Sequence, residues 1–153
     1  LDIGEEATGE LVHEVRRRAR GLADDSDVIV VDGSPGIGCP VIASVGGASA
    51  VLIVAEPTIS GKHDMDRVIQ LAEHFKIPAM ICVNKSDLNP EVSLQIQDYA
   101  RTRKLTFLGE IPFDPTFTYA MVQAKTVFEY DMNCNAAIAA RQLWDKTAKF
   151  LEL

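Results

Sequence analysis

Pro78-Ala79-Met80-Ile81-Cys82-Val83-Asn84-Lys85-Ser86-Asp87-Leu88-Asn89-Pro90-Glu91 reads as a strand, a polar turn and a helix start in direct succession. The apolar run 78–83 has the length of a buried strand. Asn89 followed by Pro90 supplies a cap residue and then proline at the first helical position, and predicts a helix to about Arg103. Outward from this unit the same alternation continues. Residues 27–32 (DVIVVD) and 50–55 (AVLIVA) are short, β-branched runs suited to buried strands, and 106–111 is a fourth strand. Leu11, Val12, Val15, Ala19 and Leu22 recur at helical spacing, and Asp24-Asp25-Ser26 breaks that helix. Met65, Val68, Ile69, Ala72 and Phe75 form the next helix; Ser60 is its expected N-cap, with Asp64 and Asp66 favouring its positive first turn. Asp114-Pro115 opens a helix through Phe117, Ala120, Met121 and Ala124. Ala137, Ala140, Trp144, Ala148 and Leu151 give a last one, from about Asn133. This βαβα order predicts an α/β fold, a mostly parallel sheet with helices on both faces, as a single domain over residues 1–153. Ligands of such sheets sit at the carboxyl ends of the strands.

Composition agrees. The chain has 153 residues, close to the roughly 150 of one domain, and 47% are hydrophobic and 24% charged, an ordinary globular balance. No apolar run approaches the roughly 18 residues of a membrane span. A net charge of −7, from 15 basic and 22 acidic residues, disfavours nucleic acid as a partner. The basic run Arg16-Arg17-Arg18 with Arg20 reads as a solvated helix face. Cys39, Cys82 and Cys134 are far apart and form no CxxC, so neither a disulfide framework nor a thiolate metal site is indicated, and a reducing cytoplasm is the natural compartment. Residues 1–6 are no signal peptide, and Leu1 is not Met, so the chain is expected to be a piece of something longer.

Four segments follow the four strands. Asp32 is followed by Gly33-Ser34-Pro35-Gly36-Ile37-Gly38-Cys39. An acid at the end of a buried strand can hold magnesium, often through water, and Gly36 lets a backbone N–H approach a phosphate. The same residues also describe a tight strand-to-helix turn. Gly61-Lys62 superficially suggests a phosphate loop, but GxxxxGK[ST] needs glycine at 56 and Ser or Thr at 63, where Glu56 and His63 stand. This second segment is a capped helix entrance, and His63 and His74 lie three turns apart, too far for one metal. Asn84-Lys85-Ser86-Asp87 spells NKxD. The Asn amide can donate to and accept from a purine edge, the Lys stem can lie along a ring, and the Asp carboxylate can take two N–H bonds from guanine. A polar turn leading to the Asn89 cap explains the same residues. In the fourth segment, Pro112 and Phe113 could pack on a base, while Asp114 also serves as the cap before Pro115.

Together VIVVDGSPGIGCPV (28–41), EPTISGKHDMDRV (56–68), VNKSDLN (83–89) and GEIPFD (109–114) resemble the C-terminal half of MinD/ParA-type P-loop ATPases of the SIMIBI class. The nearest subgroup carries a ferredoxin-like insert with two iron–sulfur clusters. The resemblance runs from about Gly4 to the end. It implies a three-layer P-loop NTPase-like fold in which Asp32 is the magnesium-side acid and Gly36 the switch glycine that senses the terminal phosphate. Asn84 matches the base-contacting Asn, and Pro112, Phe113 and Asp114 the loop around base and ribose. The family's base is usually adenine despite the guanine-like NKxD, and a GTPase alternative rests on Asn84-Lys85-Ser86-Asp87, with Asp87 as the residue that would set base preference. The implied cofactors are ATP and magnesium; the implied partners are a second copy of the chain, as a homodimer, and an iron–sulfur or electron-transfer protein. The N-terminal phosphate loop and the cysteine clusters of the insert do not occur here. The chain is therefore expected to be a fragment that starts just after the insert, inactive alone, with iron–sulfur clusters only in the missing part. Two other readings stand beside this one: a non-catalytic interaction or oligomerisation module, and a metal- or sulfur-ligand role for Cys39 across a dimer axis, where a small buried residue is the plainer account.

Overall fold

The computed structural model describes residues 3–24, 28–36 and 38–153, with side chains from residue 9 onward. The expected start of the first strand at Asp27, the break at Asp25-Ser26, Ile37 of the loop and the first two residues lie outside the described set. The chain divides into two compact units, Leu1–Val51 with Asp66–Pro78, and Leu52–Met65 with Ala79–Leu153.

The first unit is built on α1 (Ile3–Leu22) and α2 (Cys39–Val45), which pack together. The helical spacing of Leu11, Val15 and Leu22 is realised as α1, yet these side chains are 61%, 58% and 87% exposed. Among the described side chains of α1, the buried one is Arg16, whose Nη1 donates to Ala43 O and Gly46 O, both at 2.6 Å. Arg20 donates to Gly47 O at 2.8 Å. The last carbonyls of a helix lack intrahelical partners, and one guanidinium nitrogen with its two N–H groups satisfies two of them here. The basic run is thus solvated only in part: Arg17 and Arg18 pair with Glu14 on the exposed side, while Arg16 and Arg20 fasten α1 to the end of α2.

The strand expected at residues 27–32 is not formed: residues 28–32 are in no ladder, and Val30 is 76% exposed. β-Branched composition supplies propensity, but a strand exists only when a neighbour takes its N–H and C=O groups, and none of the described residues does. Helix α2 was not anticipated, although Pro40 in its first turn after Gly38 is a helix-start signal.

The second unit carries a parallel sheet in the order β1 (Val51–Ala55), β2 (Ala79–Asn84), β3 (Thr106–Ile111). Its core strand is β2, where Met80, Ile81, Cys82 and Val83 are all buried. Burial pushes the Cys82 thiol up to about 11, which makes it a small hydrophobe rather than a reactive group. Helix α3 (Ile59–His74) follows β1, and α4 (Pro90–Thr102) follows β2 and packs on β2 and β3. Asn89 Oδ1 accepts from Val92 N at 3.2 Å, the cap expected from Asn-Pro. The α3 cap differs from expectation. Thr58 Oγ1, not Ser60, accepts from Gly61 N at 2.9 Å, so the helix starts earlier and Asp64 and Asp66 fall beyond its first turn. After β3 come α5 (Thr116–Val122), α6 (Val127–Asp131) and α7 (Asn135–Leu151), the last packed on β3. Helix α6 went unseen in the sequence even though Thr126 and Glu129 form a reciprocal capping box around its start.

β3 carries a bulge. Ile81 pairs with Phe107 but Cys82 pairs with Gly109, and Gly109 has φ +142. Such a conformation favours glycine. The skipped Leu108 carbonyl is taken by Lys146 Nζ of α7 at 2.5 Å. Beyond the bulge the pairing continues one residue out of the earlier register, with Asn84 opposite Ile111, so β2 and β3 end side by side.

Candidate functional site

At that common edge the three strand ends are tied by side chains. Lys85, just past β2, adopts φ 55 and ψ 43, the left-handed region that costs a β-carbon-bearing residue roughly 1–2 kcal/mol. The turn is held by its surroundings. Asn84 Oδ1 accepts from Lys85 N at 3.1 Å, and Ser93 Oγ of α4 donates to Ser86 O at 2.7 Å inside the core. Lys85 Nζ reaches Glu56 Oε1, just past β1, at 2.5 Å. A single 3-10 turn, Ser86–Leu88, then aims Asp87 at the third strand end, where its Oδ1 accepts from Phe113 N at 2.6 Å.

Of the residues singled out in the sequence, Asn84, Asp87, Pro112, Phe113 and Asp114 are brought together in this unit. Asp32 and Gly36 belong to the other unit, where both are exposed. Gly36 has φ +86, a conformation that favours glycine, and a Cβ there would meet nothing within 4 Å. Glu56 and Ser93 are site-shaping residues that sequence reasoning missed; the Glu-Pro after the second strand was the available signal for the first, while Ser93 gave none.

Asp114 is held from two sides. Its Oδ1 accepts from Thr116 N at 2.9 Å and its Oδ2 from Ala136 N at 3.5 Å, joining the start of α5 to that of α7. The side-chain bond with Thr116, then its backbone N–H, keep the carboxyl below the usual carboxylate range, against a smaller opposing effect of burial. A depressed folded-state pKa contributes stability at pH above the unfolded value, about 3.9 for Asp, and that contribution is lost as pH falls through the folded value. The Asp114→Asn variant keeps an oxygen acceptor but does not titrate. Its urea midpoint is therefore expected to fall less than the wild type's between pH 5 and acid below about pH 3; equal falls would remove Asp114 from the acid limb.

Between the β1–α3 turn and the start of α4 lies an open groove lined by Glu56, Thr58, Ile59, His63, Leu88 and Asn89. His63 and His74 are exposed, as expected of surface histidines. Cys39 is exposed, not the buried small residue expected. Among the described residues, no group of three or more His, Cys, Asp or Glu side chains could hold a metal ion, and no helix is long and apolar enough to cross a membrane.

The fold is similar to that of MinD cell division ATPases. The chain matches the Pyrococcus furiosus MinD structure with a TM-score of 0.75 at 18% identity, covering 91% of this chain and 59% of that one. The MinD cell division protein of Aquifex aeolicus matches at 0.71 and 22%, covering 92% and 61%. The septum site-determining protein MinD of Pyrococcus horikoshii, complexed with Mg-ADP, matches at 0.75 and 17%, covering 92% and 58%. In sequence the chain is similar to two proteins of Methanocaldococcus jannaschii, the uncharacterized proteins MJ0578 and MJ0579. The first is 25% identical over 151 residues, 99% of this chain and 50% of that protein. The second is 28% identical over 133 residues, 85% of this chain and 43% of that protein. The chain thus spans about half the length of the curated relatives it matches. No family model matches it.

Proposed function

We propose that this chain supplies the base-and-ribose side, the magnesium-side acid and the switch glycine of an ATP site in a MinD/ParA-like ATPase. The observation that carries the reading is the tied edge of the sheet. Glu56, the Asn84–Asp87 turn and the 112–114 loop are fixed to one another at the carboxyl ends of the strands, where ligands of open α/β sheets bind. The Mg-ADP complex of the Pyrococcus horikoshii MinD, a protein of similar fold, supports it. Asn84, Pro112, Phe113 and Asp114 would surround base and ribose. Asp32 is a single exposed carboxylate. One carboxylate with waters and nucleotide phosphates suits Mg²⁺, which is seldom held in an all-protein cage. The ion would neutralise charge developing on the phosphates. Gly36, open around its Cα, would present its N–H to the terminal phosphate.

The resemblance also supports a homodimer that couples turnover to an iron–sulfur or electron-transfer partner. The described residues do not fit a cluster themselves: Cys82 is buried, Cys39 and Cys134 are free, and no ligating group forms.

The test is displacement of a fluorescent ATP analogue from the protein as its gene encodes it, with Mg²⁺ present. Unlabelled ATP is expected to compete and GTP to compete poorly. Competition by GTP alone would make guanine the preferred base and favour the GTPase reading, and no uptake of either would leave the interaction-module reading.

A further inference from the structure

We propose that Asp87 is a positioning residue that holds the 112–114 loop against the nucleotide base, and that it does not read the base. The inference rests on the ATP-site reading above and concerns how that site selects its ligand. A carboxylate that recognises guanine sets both oxygens side by side on two N–H groups. Here Oδ1 is already committed to Phe113 N at 2.6 Å, a short bond between segments 26 residues apart. The other charged group of the motif is committed as well, since Lys85 Nζ is held by Glu56 and its stem is drawn toward β1 rather than left free to lie on a ring. Both charged side chains of NKxD therefore brace the turn. Asn84, half-buried at the end of β2, is left as the polar side chain of the motif that can meet a base, with its amide N–H groups as donors once Oδ1 has accepted from Lys85 N. The left-handed Lys85 is what makes the bracing possible, because it turns the chain so that Asp87 faces the β3 end.

The positioning role separates base contacts from phosphate contacts. Displacement of fluorescent ATP is measured with unlabelled ATP, GTP and inorganic tripolyphosphate, on the wild type, Asp87→Ala and Asp87→Asn. The Ala variant loses the acceptor, and its affinity for ATP is expected to fall about tenfold, with GTP falling in proportion and tripolyphosphate unchanged. The Asn variant keeps an oxygen for Phe113 N and is expected to stay within about twofold of wild type with all three. A changed ATP-to-GTP ratio in Asp87→Asn overturns the proposal, because Asp87 would then read the base. Equal losses for ATP and tripolyphosphate in Asp87→Ala overturn it too, as the mark of a general collapse, and so does an unchanged Asp87→Ala. A wild type that takes up neither ATP nor tripolyphosphate overturns the ATP-site reading instead. Hydrogen exchange at the Phe113 amide, read without ligand, then judges the tether alone: faster exchange in Asp87→Ala supports it, and unchanged exchange overturns it.

Discussion

In the protein as its gene encodes it, Asp32→Ala is expected to lower ATP turnover by about 100-fold or more while leaving stability nearly unchanged. The asymmetry follows from where the side chain stands. Asp32 is exposed, in a segment outside any helix or strand, and its carboxylate meets no donor among the described residues. Removing an exposed, unpaired side chain usually shifts stability by no more than about 0.5 kcal/mol. Its absence is felt only if something binds it. In the proposed site that partner is Mg²⁺ with its waters, and one lost carboxylate weakens both the ion's hold and the neutralisation of phosphate charge in the transition state. The checking measurement pairs steady-state turnover at saturating ATP with a urea midpoint on the same preparations. Raising Mg²⁺ should recover part of the loss. Turnover at the wild-type level would remove Asp32 from the site; a loss accompanied by a large drop in midpoint would make it structural.

What the sequence made legible was local. Strand β3 falls on residues 106–111 as expected, and α4 begins where Asn89-Pro90 said it should, because a cap and a fixed proline φ act within one turn. The misses share a different cause. Residues 28–32 have strand composition but no partner in the described chain, and pairing is a property of two segments. Arg16 looked like part of a solvated run until α2 offered two bare carbonyls to it. The bulge at Gly109 left only an isolated glycine in a strand as its trace. The candidate site divides in the same way. Asn84, Asp87 and residues 112–114 could be placed at strand ends from the order of elements alone. How they are used could not, because the Asp87–Phe113 and Lys85–Glu56 links span 26 and 29 residues and depend on register. A motif spelled NKxD shows which groups are present, whereas the fold decides which of them remain free.

The same substitution in two helices should have opposite signs. A glycine-to-alanine change inside a helix ordinarily stabilises by up to about 1 kcal/mol, through helix propensity and the lost freedom of the unfolded chain. Gly21, in the last turn of α1, has nothing within 4 Å of the position its Cβ would take, so Gly21→Ala is expected to be neutral to mildly stabilising. At Gly61, in the first turn of α3, the added Cβ would stand 2.4 Å from Glu56 O and 3.0 Å from Thr58 Oγ1. The oxygen belongs to the backbone just past β1 and cannot swing away as a side-chain tip could. Accommodating the methyl means moving the turn, at a cost of about 2 kcal/mol net of the propensity gain. Equilibrium urea unfolding of both variants checks the pair, and a Gly61→Ala as stable as wild type would show that the turn opens freely. The consequence reaches the site, because the displaced residue is Glu56, the acceptor of Lys85 Nζ. If the tied edge is what holds the base, Gly61→Ala should weaken ATP binding in buffer where the protein is still fully folded, and Gly21→Ala should leave it untouched.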